Sequence, residues 1–164
     1  MIINILVTAV GFTVLPHFTE MLANRQIDRL RRFFVRYAVL LAVAGTLVAV
    51  VAFALSEPFI RIAFQRGAFT IKDTLAVTDL QQAYLLQIPG ALVGILSARV
   101  LVACGALRAV TAVFVIVVPF AGLVQWWLSC VWGAVGVAYG TSLGVSLSAI
   151  CLTFVALFLS RKIQ

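Results

Sequence analysis

Residues 33–55 read "FFVRYAVLLAVAGTLVAVVAFAL", and their only charge is Arg36, near the start. About 20 consecutive apolar residues, each rising 1.5 Å along a helix, match the ~30 Å hydrocarbon core of a bilayer. This stretch therefore reads as a membrane-spanning helix, and the rest of the chain can be read outward from it. Four further apolar runs accompany it, at about residues 1–15, 80–104, 109–131 and 134–159. The run at 1–15 is short for a span and is closed by Pro16, so it reads as the tail of a helix that begins earlier. It has no basic leader and no small-residue cleavage site, so it does not read as a secretory signal.

Composition agrees. The 164 residues are 64% hydrophobic and 10% charged, against roughly 45–50% and about 25% for a soluble domain. None of the runs shows the two-residue alternation of a β-barrel strand. The expected fold is all-α: a polytopic membrane protein of about five helices, residues 1–164 forming one transmembrane domain. Short links at 105–108 and 132–133 call for antiparallel neighbours along the chain.

The net charge of +7 is a topology signal more than a nucleic-acid footprint, because the basic residues fall between apolar runs. Arg25, Arg29, Arg31, Arg32 and Arg36 occupy the first connection, Arg99 and Arg108 flank the third, and Arg161 and Lys162 close the chain. The second connection holds Arg61, Arg66 and Lys72, and the fourth holds none. The positive-inside rule then places the first and third connections and the C-terminus in the cytoplasm. Trp126, Trp127 and Trp132 fall at the opposite end, where an aromatic belt is expected.

Within the first connection, Ala23, Ile27, Leu30, Phe34 and Tyr37 recur at helical spacing, with Arg25, Arg29, Arg32 and Arg36 on another face. This is an amphipathic helix running into the second span. Its basic face suits anionic headgroups, or else a solvated surface that only sets topology.

Nothing in the chain points to covalent chemistry. His17 is the one histidine, the acids Glu20, Asp28, Glu57, Asp73 and Asp79 form no pair with it, and no glycine-rich phosphate loop is present. Cys104, Cys130 and Cys151 lie in or beside apolar runs without metal-ligand spacing. No metal site, cofactor or enzymatic activity is expected.

Polar residues at membrane depth are costly and tend to face a protein interior or a watery cavity. Gln81, Gln82 and Gln87 cluster in the third run beside Pro89, which removes a backbone hydrogen bond and calls for a kink; Pro119 does the same in the fourth run. Gln82, Gln87 and Arg99 are the candidates for a cavity wall, against a packing role for the glutamines and interfacial snorkelling for Arg99. Gly136, Gly140 and Gly144 step by four, a small-residue ridge for close helix approach.

The most charged short stretch is "EPFIRIAFQRGAFTIKD", residues 57–73. With its Glu57–Pro58 helix end and the residues Phe64, Arg66, Gly67, Phe69, Thr70 and Asp73, it resembles the signature of the MviN/MurJ family of lipid II flippases. "VLPHFTEM" (14–21), "RLRRFFVRYAVLLAV" (29–43) and "GVAYGTSL" (136–143) are similar to further family segments, in family order. "VLVACGALRAVTAV" (100–113) departs from the family pattern, lacking its Asp and Pro.

The resemblance implies the eighth to twelfth helices of a fourteen-helix flippase in the bacterial inner membrane. Such a protein moves a lipid-linked sugar pyrophosphate by alternating access between two lobes, for peptidoglycan synthesis. The N-terminal lobe, which carries the family's central-cavity arginines, would precede residue 1 or belong to a partner. An exporter of another lipid-linked oligosaccharide or of a drug, and a non-transporting membrane scaffold, are the alternatives. Residues 57–73 would form the outer turn, Gly67 permitting a positive φ and Asp73 capping the next helix. Arg66→Ala or Gly67→Val is therefore expected to lower the amount of folded protein in membranes without changing substrate selectivity, measured by immunoblot beside a transport assay. A normal level with altered selectivity would contradict the turn role.

Overall fold

The computed structural model describes residues 27–64 and 70–162, and every regular element among them is helical. The expected span at 1–15, together with His17, Arg25, Arg66, Gly67 and Phe69, lies outside the described residues.

The first helix, α1 (Ile27–Phe64), has 38 residues and carries the stretch at 33–55 without interruption. It does not stop at Leu55 as expected but continues through Pro58 to Phe64. Its buried side is one narrow stripe: Leu30, Phe34, Leu41, Gly45, Ser56 and Ile60. These recur by four, seven or eleven residues, which returns each to the same helix face. Val39, Leu47 and Val50 on the other faces are exposed, as lipid-facing side chains are.

Helix α2 (Ile71–Leu85) begins well before the expected start near Leu80. Lys72, Asp73 and Asp79 mask it in a hydropathy reading. Its cap differs from the expectation as well. Thr70, not Asp73, is the N-cap, and Asp73 reaches back to it in a capping box. The Thr70 amide donates to Asp73 Oδ2 at 2.8 Å, and the Asp73 amide donates to Thr70 Oγ1 at 3.4 Å. After a break at Leu86, α3 (Gln87–Ala103) completes the same span. Pro89 sits in the first turn of α3, where its missing N–H leaves no helical bond unmade. Helix α3 ends in a Schellman turn. The Ala106 amide bonds the Leu101 carbonyl, the Gly105 amide bonds that of Val102, and Gly105 takes φ +72°.

The last helix, α4 (Leu107–Lys162), is folded back on itself at Gly133, whose φ of 59° and ψ of −134° are not helical. Its two arms, 107–132 and 134–162, are the expected fourth and fifth spans, and Pro119 stands inside the first. Among the described residues three helices are long and apolar enough to cross a membrane, the third being this folded pair. With the fold at Gly133 the described residues hold four crossings, matching four of the about five expected spans, and the remaining one, at 1–15, lies outside them.

The glycine ridge holds the two arms together. A Cβ on Gly136 would strike the Leu128 carbonyl, one on Gly140 would lie 2.6 Å from Gln125 Cα, and one on Gly144 would lie 2.7 Å from Ala121 Cβ. Because α3 and the second arm are each antiparallel to the first arm in sequence order, they run parallel to each other. They also touch directly. Gly90 lies against Ser146, Gly94 against Ala149, and Ser97 Oγ lies 2.8 Å from Thr153 Oγ1. The main core, including Leu30, Phe34, Val100, Leu101, Val110 and Leu152, gathers one end of α1, α3 and the two arms of α4.

Gly133→Ala is expected to destabilise the protein by roughly 1–3 kcal/mol, the cost of forcing an L side chain into that backbone conformation. Gly122→Ala, where added carbon meets open space at an ordinary φ, is the neutral control. Thermal unfolding in detergent distinguishes them.

Candidate functional site

The break at Leu86 and the parallel contact between α3 and the second arm create the main concave feature. Two apolar hollows, of about 580 and 540 Å³, share Leu86 and Ser146 as lining residues. The first is walled by Trp132, Tyr139 and Leu143, the second by Pro89, Val93, Phe154 and Leu157. Together they follow the second arm from Tyr139 to Leu157, about 27 Å at 1.5 Å per residue, close to the depth of a hydrocarbon core.

The serine and threonine hydroxyls lining this groove are already bonded within the protein. Ser142 donates to the Ala83 carbonyl at 2.7 Å, one turn before the helix break. Ser146 donates to the Ser142 carbonyl at 2.8 Å, and Thr153 to that of Ala149 at 2.7 Å. No charged residue lines either hollow. A groove of this chemistry suits a hydrocarbon chain and gives no counter-charge to a phosphate.

The polar candidates from the sequence lie elsewhere. Gln82 Nε2 donates to the Phe53 carbonyl at 3.4 Å, and Gln81 Nε2 to Ser56 Oγ at 3.5 Å, so both glutamines tie α2 to α1. Gln87 is the first residue of α3 and only partly buried. Arg99, also partly exposed, stands about 18 Å further along α3. Gln82 and Gln87 therefore flank the break, and Arg99 is not brought to them. None of the three lines the apolar groove. Phe64 is exposed at the end of α1, and Thr70 with Asp73 forms the capping box. Among the described residues no three metal-ligating side chains converge.

Residues that sequence reasoning missed are Leu86, Gly90, Ser142, Ser146 and Thr153. Their signal was present as small residues four apart, Gly90 with Gly94 and Ser142 with Ser146, and of these Gly90 faces Ser146. The pairing itself spans more than fifty positions and leaves no local mark.

Among known protein families, the model described as lipid II flippase MurJ matches residues 1–163. The chain belongs to that family. Neither the curated proteins nor the solved structures searched returned a match. Membership makes this a multi-pass membrane protein of a transporter family rather than an enzyme. Within this MurJ-family chain, Ser142→Ala is expected to cost about 1 kcal/mol, since it leaves a buried carbonyl without its donor. Ser148→Ala removes a bond made only within its own helix and should cost less. The midpoints of thermal unfolding in one detergent give the comparison.

Proposed function

We propose that this chain is part of a flippase that carries lipid II across the bacterial inner membrane by alternating access. The observation that carries the reading is the family match over residues 1–163. The groove gives it a physical part to play. A polyprenyl tail needs an apolar track running through the depth of the bilayer, and the crevice from Tyr139 to Leu157 has that length and lining. The pyrophosphate-sugar head needs cations and polar groups, which the groove lacks. Gln87 and Arg99, partly exposed at separate depths on α3, and Gln82 across the break from Gln87, are the residues we assign to the wall facing the head group. The remaining cationic surface is supplied by the lobe that completes the transporter.

The proposed orientation follows from charge. The core cluster brings the N-terminal end of α1, the C-terminal end of α3 and the start of α4 together. Arg29, Arg31, Arg32, Arg36, Arg99 and Arg108 therefore gather at one end, which the positive-inside rule assigns to the cytoplasm. The exposed Trp126, Trp127 and Trp132 mark the other interface.

Ser146→Trp in the complete protein is expected to fill the groove and slow lipid II translocation in reconstituted vesicles at least tenfold. Val115→Trp, on an exposed face of the first arm, should leave it unchanged. Equal rates at equal protein amounts would remove the groove from the transport path. Rescue of a flippase-depleted strain tests the substrate itself: growth without restored lipid II export would favour another lipid-linked cargo.

A further inference from the structure

We propose that the recess at the N-terminal end of α1 is a binding site for the headgroup of an anionic phospholipid such as phosphatidylglycerol. Arg31, Arg32, Val35 and Arg36 line a hollow of about 600 Å³ there. Arg32 and Arg36 are exposed and Arg31 is half-buried. Arg32 and Arg36 stand four residues apart on one helix face, close enough for both guanidinium groups to reach one anion. Guanidinium groups also match phosphate oxygens in planar, two-pronged fashion.

The position of the recess decides between a lipid and a soluble anion. Between Arg36 and Glu57, α1 runs about 31 Å without a charge. Between Arg108 and Trp127 the first arm of α4 runs about 28 Å. Both lengths fit one hydrocarbon core, with Arg36 and Arg108 at one boundary and Glu57 and Trp127 at the other. The recess therefore sits at headgroup depth. Its one apolar wall, Val35, continues into the exposed Val39 and Leu40, which meet acyl chains. A headgroup held by the arginines with its tails along Val39 and Leu40 uses both halves of this surface, and free phosphate uses one. The inference does not depend on what the protein transports.

The test is native mass spectrometry of the full chain in detergent, offered phosphatidylglycerol and phosphatidylcholine in equal amounts. The wild type is expected to retain the anionic lipid at least tenfold over the zwitterionic one. Replacing Arg31, Arg32 and Arg36 together by Gln should bring that ratio near one, while Arg61→Gln with Lys72→Gln, at the opposite end, leaves it intact. A triple variant that keeps the preference, or inorganic phosphate displacing the lipid from the wild type, overturns the proposal. Should the triple variant fail to fold, the wild type alone decides. Raising salt from about 0.1 M to about 1 M shortens the screening length from roughly 10 to 3 Å and should collapse the preference. A preference that survives this salt change overturns the site.

Discussion

Hydrocarbon gives a peptide group nothing to bond with, so a chain in a bilayer must satisfy its own donors and acceptors. Each described crossing meets this by remaining helical, and the side-chain hydroxyls follow the same rule. Thr46, Ser97, Thr141, Ser146 and Thr153 each donate to a carbonyl four residues back, and none of the buried side-chain polar atoms among the described residues lacks a partner. What remains for holding one helix to another is close packing and a few hydroxyl bridges. In lipid there is little hydrophobic force between helices, so the small residues carry the assembly.

Two sets of small residues carry it here. Gly136, Gly140 and Gly144 close the hairpin of α4, and Gly90, Gly94 and Ser97 seat α3 on Ser146, Ala149 and Thr153. The first set joins neighbours in sequence, and the second joins helices with a whole crossing between them. The groove lies where the second contact is made beside a one-residue break in the span, and Leu86 lines both of the hollows that meet there.

Much of this was legible in the residues. The stretch at 33–55, the hairpin link at Gly133, the ridge of glycines and the charge bias all follow from local pattern. Pro58 and the charges of 71–79 misled in opposite ways. Pro58 is a poor guide to the end of α1, because that helix tolerates the missing bond and continues to Phe64. The polar first half of the next span hid a helix that its Thr70-x-x-Asp73 box does announce. The groove was not legible. Gln82 drew notice because it is polar, yet it serves as a tie to α1, while the lining residues are ordinary Leu, Gly, Ser and Thr whose meaning comes from a partner more than fifty positions away.

The seating of α3 on the second arm also has a mechanical meaning. Ser146 Cα lies 3.0 Å from where a Cβ on Gly90 would be. Sliding one helix past the other would carry the bare backbone of Gly90 off Ser146 and bring bulkier surface against it. The same slip would part Ser142 from Ala83 and Ser97 from Thr153. These contacts hold the pair in register like two racks with meshed teeth, so shear between them costs more than tilting them together. A motion that keeps these contacts moves α3 and the second arm as one unit and leaves the displacement to their lipid-facing rim.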